Sequence, residues 1–192
     1  MQNIARNSAL GIINNKPCGQ KMVKRTQGVE TIVNELKRCQ VAGLTTATLV
    51  LCFVLIDTMA FASMPGGKLK QSRHDFISWI DKYLKADPRQ PYQYRGIDVY
   101  GARCGILHSY SSTSEFHQKN RGVIEFGYHD AGLHAYNDTI NKNFVLIGLT
   151  SFVDDIIRAA EEFFIEASAD EVLRVRVEGR LQKLMLTTPL SN

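Results

Sequence analysis

The chain has 192 residues, 44% of them hydrophobic and 22% charged, which excludes wholesale disorder and leaves room for one domain with a sizeable core. Its formal net charge is +4, but residues 1–25 hold Arg6, Lys16, Lys21, Lys24 and Arg25 and no acid, so residues 26–192 sum to −1. A strong electrostatic footprint for duplex nucleic acid is therefore missing from the folded body, while a local basic groove stays open.

In chain order, residues 1–25 read as a flexible basic arm that lacks the apolar core and cleavage site of a signal peptide. Residues 26–192 read as a single helical domain. Val29, Ile32, Val33 and Leu36 recur at helical spacing and predict a helix over 28–39. A far more apolar helix is expected over 45–63, with residues 49–56 almost unbroken. It is long enough to cross a bilayer. Asp57 argues for a core helix instead, because a carboxylate deep in hydrocarbon costs roughly 2.5–3.5 kcal/mol. Thr45, Thr46, Thr48 and Ser63 dilute its apolarity further, so no membrane is expected.

Pro65-Gly66-Gly67 stops that helix, and Ser72 with Asp75 three residues on predicts a capping box. Phe76, Ile77, Trp79, Ile80, Tyr83 and Leu84 then form one apolar face, with Trp79 and Tyr83 as core. Asp87-Pro88 ends the helix, and a loop rich in tyrosine and arginine leads onward.

The next stretch, from Asp98 to Tyr110, carries the chemistry. Histidine has the pKa for acid or base work near neutrality, and arginine offers a planar fork that matches phosphate oxygens. Arg103 and His108 are thus the candidate catalytic pair, with Asp57 or Asp98 to orient either and Tyr100, Cys104 and Tyr110 in support. Five residues turn a helix by about 140°, so the pair shares no face by spacing alone. The two converge only if His108 lies at the frayed helix end while Arg103 reaches along it, or if two copies meet across a dimer. Tyr100, Cys104, Leu107 and His108 lie near one another on one side. Gly101, Ala102 and Gly105 make a small-residue surface, against which the helix bearing Asp57 is expected to pack. The competing structural reading makes Arg103 part of a half-buried ion pair and His108 a helix C-terminal cap.

Residues 109–114 read as a loop. Strands are expected over 122–128 and 144–147, with a third over 133–136, giving a β-hairpin insertion at about 121–148. Ser151 with Asp154 marks a further helix with Phe152, Val153, Ile156, Phe163 and Phe164 inward, and residues 169–185 read as helix despite the alternating Leu173-Arg-Val-Arg-Val177. His74 and His117 are expected in exposed loops. Cys18, Cys39, Cys52 and Cys104 lie far apart without zinc-site spacing, as free thiols in a reducing cytoplasm would. His129 and His134 fall in an expected turn without further ligands, and Gly66-Gly67-Lys68 lacks P-loop spacing, so neither metal nor other cofactor is expected. The fold class is mainly α: a bundle of four to five helices with a small β-hairpin insertion.

Phe76-Ile-Ser-Trp-Ile-Asp-Lys-Tyr-Leu84 followed by Asp98-Val-Tyr-Gly-Ala-Arg-Cys-Gly-Ile-Leu-His108 resembles a group of uncharacterised bacterial proteins with a tryptophan helix and an Arg-Cys-x-x-Leu-His helix. Their helical arrangement is similar to the HEPN superfamily, and the likeness covers about residues 29–167. It implies a cytoplasmic homodimer with the two motifs facing each other, Arg103 and His108 as the catalytic pair, RNA as substrate, and a toxin or defence role with an antitoxin or other protein partner. Cys104 stands where many active members carry asparagine or aspartate. A non-catalytic HEPN-like module for dimerisation and partner or nucleotide binding is the alternative.

Overall fold

Helix α2 (Thr45–Ser63) is apolar on every side, and Asp57 is its single charged residue. A helix of that kind must be enclosed by neighbours or by lipid. Among the described residues it is the one helix long and apolar enough to cross a membrane by length and composition, with about half of that window buried. The computed structural model describes residues 27–184, so the basic arm expected over 1–25 and the end of the last segment lie outside them.

Around α2 stand α1 (Gln27–Val41), α3 (Arg73–Tyr83), α7 (Leu149–Ala169) and α8 (Glu171–Leu181). Cys52, Phe53, Leu55, Ile56 and Met59 of α2 are fully buried against them, with Phe53 edge-on to Phe152 at 6.0 Å. Buried threonines are accommodated because their hydroxyls donate within the helix, Thr48 to the Leu44 carbonyl at 2.9 Å and Thr58 to that of Val54 at 2.8 Å. Burial pushes the Cys52 thiol far up, so it stays an inert thiol. At the C-terminal end of α2, the Arg180 guanidinium of α8 donates to the carbonyls of Phe61, Ala62, Met64 and Pro65. One side chain thereby satisfies acceptors that the helix itself leaves open.

The expected capping box opens α3: the Asp75 amide donates to Ser72 Oγ at 3.4 Å and the Ser72 amide to Asp75 Oδ2 at 2.7 Å. Trp79 and Tyr83 pack against Phe163, with ring centroids 6.4 and 5.4 Å apart, as core residues. Residues 171–181 form α8 despite their alternating pattern, because Asp170 caps the Val172 and Leu173 amides at 2.9 and 3.1 Å and Val177 and Leu181 fall on one buried face. The helix after β2 starts at Leu149 and not at Ser151, whose hydroxyl instead accepts from Gln90 Nε2 at 3.1 Å.

The β insertion is not a hairpin. Strand β1 (Glu125–His129) and strand β2 (Phe144–Gly148) pair in parallel, from Glu125 opposite Phe144 to His129 opposite Gly148. The fourteen residues between them include the short helix α6 (Asp138–Asn141), and that is a crossover length and not a turn. The third expected strand is reduced to one antiparallel bridge, Ala135 to Leu146. His134 pins the crossover: its Nδ1 accepts from the Gly148 amide at 3.1 Å, and its own amide donates to Gln90 Oε1 at 2.7 Å. Gly148 is needed there, because a Cβ would lie 2.5 Å from the Gly132 carbonyl oxygen. The whole is a mainly helical bundle with a two-stranded sheet.

His134 is 3% exposed, and burial, aided by nearby His129, lowers its pKa from 6.5 to about 4. The unfolded chain takes up this proton first, so the stabilisation is full above pH 6.5 and is lost as pH falls through about 4. His134→Asn keeps an acceptor near the Nδ1 position without the titration. Denaturant melts should show the wild type losing about 2–3 kcal/mol more than the variant between those pH values; equal losses contradict the assignment.

Candidate functional site

Helix α4 (Gly96–Ser109) carries the motif, and its end is set by Tyr110, which adopts the left-handed conformation at φ 48°. The Ser111 amide then donates back to the Gly105 carbonyl at 3.1 Å, closing the helix in the manner of a C-terminal cap. His108 therefore sits in the last turn, exposed, where its ring swings back along the helix. Arg103 reaches along the same helix, and its Nη1 donates to His108 Nε2 at 3.0 Å. His108 is still helical in a closed last turn, so the expected frayed end is absent, and the convergence is achieved by the long Arg103 side chain reaching along the helix.

Arg103 is held from its other side by α2. Its Nε and Nη2 donate to Asp57 Oδ2 at 3.1 and 3.0 Å, while Gln71 Nε2 reaches Asp57 Oδ1 at 3.4 Å. The pair is half-buried. Burial pushes the Asp57 carboxyl above the usual carboxylate range, and the adjacent Arg103 opposes that push without cancelling it. Burial also works against the Arg103 charge, but the Asp57 carboxylate more than restores it. Asp57 and His108 together occupy three of the five guanidinium N–H donors. Since arginine only donates, His108 Nε2 is the acceptor here and the ring proton resides on Nδ1.

The remaining expected site residues divide. Tyr100 packs edge-on against Phe76 and Phe116, with centroids 5.5 and 5.0 Å apart; burial and then the Cys104 thiol push its hydroxyl up. Cys104 lies beside both Tyr100 and Arg103. Tyr110 is 71% exposed and places its hydroxyl 2.7 Å from Thr46 Oγ1, a second link between α4 and α2. Asp98 belongs elsewhere: fully buried, it accepts from the Tyr92 hydroxyl at 2.7 Å, from Arg95 Nε and Nη2 at 2.5 and 2.7 Å, and from the Ile124 amide at 2.9 Å. It ties α4 to the start of the sheet.

The small-residue surface also has a different partner from the one expected. A Cβ on Gly101 would lie 2.8 Å from His117 Nε2, and one on Gly105 would lie 2.3 Å from the Ser111 carbonyl oxygen. These glycines admit the chain that follows α4, not α2. His117 belongs to a short helix, α5 (Glu115–Lys119), and is half-buried with its Nδ1 accepting from the Ser114 amide at 3.1 Å. Sequence reasoning missed this helix; the signal was Ser114 followed three residues later by a side chain able to accept, the spacing of a capping box. His74 lies on α3, exposed, with Nδ1 3.3 Å from Ser78 Oγ.

With α5 in place, an open groove of about 430 Å³ runs along α4, lined by Tyr100, Cys104, His108, Ser109, Phe116 and Lys119. Arg73 lies 5.4 Å over the Phe116 ring. Tyr100 and Phe116 thus give the groove an aromatic wall, and its lysine, Lys119, is paired with Glu115. Among the described residues no group of three or more His, Cys, Asp or Glu side chains is placed to hold a metal ion. Comparisons with protein-family models, with curated proteins and with solved structures find no match.

The native chain holds the Asp57 proton more tightly than the unfolded chain. Its contribution to stability is therefore full below the ordinary value of 3.8 and is lost as pH climbs through the raised one. Asp57→Asn stays uncharged throughout. Melting temperatures from about pH 3 to pH 7 should show the wild type losing ground to the variant as pH rises; parallel curves would refute the shift.

Proposed function

We propose that this chain is a HEPN-like endoribonuclease that works without a metal ion and acts as a cytoplasmic homodimer, with Arg103 and His108 as its catalytic pair. The observation that carries the reading is the 3.0 Å contact of Arg103 Nη1 with His108 Nε2 beside an open groove. RNA carries its own nucleophile. Removal of the 2′-hydroxyl proton lets that oxygen attack the adjacent phosphorus, and protonation of the 5′-oxygen lets it leave, giving a 2′,3′-cyclic phosphate and a 5′-hydroxyl.

Arg103 is suited to the charge that develops on the equatorial oxygens, because its fork is oriented by Asp57 before substrate arrives. A phosphate oxygen that takes the Nη1 donor frees His108 Nε2, and the imidazole then has the lone pair a base needs. Substrate binding and activation of the base are in this way one event. A second proton-transfer group is still required, and a second copy facing the first supplies another Arg103–His108 pair.

A specific observation also favours the non-catalytic reading. Asp57 engages two Arg103 donors and Arg103 occupies His108 Nε2, so the trio is self-satisfied and able to serve as a fastening between α2 and α4. Incubation with total bacterial RNA in excess chelator separates the two. The wild type should cut RNA to products with 5′-hydroxyl ends, and Arg103→Ala and His108→Ala should each lose about a hundredfold or more with the circular dichroism spectrum retained. Intact RNA in every lane, with His108→Ala altering only melting or self-association, would leave the binding module.

A further inference from the structure

A groove of about 420 Å³ lies where α3, α7 and α8 meet the chain after α2, and it shares no lining residue with the groove beside His108. Its walls include Met64, Trp79, Tyr83, Phe163 and Leu173. Trp79 is 2% exposed, yet its indole Nε1 donor has no acceptor among the described residues. Buried tryptophan N–H groups normally find a partner, and leaving one unmade costs about 1–3 kcal/mol. Arg176 lines the same groove, and its Nε donor is also buried and unpartnered.

The acids in the groove are already engaged. Glu166 pairs with Lys82 at 2.5 Å, Asp75 with Lys68 at 2.5 Å, and Asp170 caps α8. No carboxylate among the described residues pairs with Arg176. One turn further along α8 stands a second guanidinium, Arg180; burial and then the Arg176 charge hold its pKa below the usual value. Two unmatched donors beside apolar walls set what a ligand of this groove must offer: acceptors at one end and an apolar body. A water could accept from such donors but would make no use of the apolar walls.

We infer that this groove binds a small organic acid, its carboxylate taken by the Arg176 guanidinium and the Trp79 indole N–H and its apolar body laid against Tyr83, Phe163 and Leu173. The volume suits a small-molecule ligand. The ligand's charge sets it apart from anything the apolar walls alone would bind, because a charge-assisted bond to arginine is stronger than a neutral one.

The chain has a single tryptophan, so its fluorescence reads this groove directly. The full chain is titrated with octanoate, with 1-octanol and with inorganic phosphate. Octanoate should change Trp79 emission saturably, 1-octanol should be about tenfold weaker or worse, and phosphate should leave emission unchanged. Arg176→Gln should weaken octanoate about tenfold with the melting temperature kept, and Arg176→Lys should recover part of the loss. Equal binding of octanoate and octanol, a response to phosphate alone, or an Arg176→Gln chain that binds octanoate normally would each overturn the site. The octanol comparison needs no variant, so it stands even if Arg176→Gln fails to fold. None of these outcomes depends on whether RNA is cleaved.

Discussion

One charge on an otherwise apolar helix decides how the rest of this molecule is arranged. Asp57 cannot be buried alone, so α2 must present it where a cation can reach, and the neighbour that supplies one is α4 through Arg103. Every other side of α2 is free to be covered by hydrophobic contact, and α1, α3, α7 and α8 do so. The ion pair does not tighten the carboxylate, since burial pushes Asp57 up in spite of its partner. Its value is positional: it fixes which turn of α4 faces α2, and hence where the guanidinium points. His108 then meets a donor already aimed at it.

Much of this was legible in the chain. The unbroken apolar run with Asp57 inside it predicted α2, and Ser72 with Asp75 predicted the start of α3. The meeting of Arg103 and His108 was legible only as a condition, that the histidine lie at a frayed end, because a straight helix keeps residues five apart on different sides. The helix is instead closed just beyond His108 by Tyr110 in the left-handed conformation, which nothing in a tyrosine announces, and the reach of the Arg103 side chain makes the contact. The sheet was misread for a different reason. Strand pattern reports that residues alternate or are buried and is silent on direction; direction follows from a fourteen-residue crossover held by His134 and Gln90. Asp98 looked equivalent to Asp57 by proximity to the motif, yet it points along the first turn of α4 to Tyr92, Arg95 and Ile124. Gly101 and Gly105 were correctly read as making room, but only the fold says that His117 and Ser111 fill it.

The two grooves use arginine in opposite ways. Arg103 already has partners on three of its five donors, and a ligand that took the Nη1 donor would release the histidine. Arg176 pairs with no carboxylate among the described residues, and its Nε donor is buried without an acceptor, so a ligand there would meet an open donor. On the proposed readings, the first would be switched by its ligand and the second would wait for one.

The contact between Arg180 and the end of α2 joins residues 116 positions apart, at Met64. During synthesis at about 5–20 residues per second, the last carbonyls of α2 go without this cap for on the order of ten seconds after they leave the ribosome. For most of that interval the most apolar of the described helices has α1 and then α3 at hand, but not yet α7 or α8, to cover it. Closure of α8 completes the cover of α2.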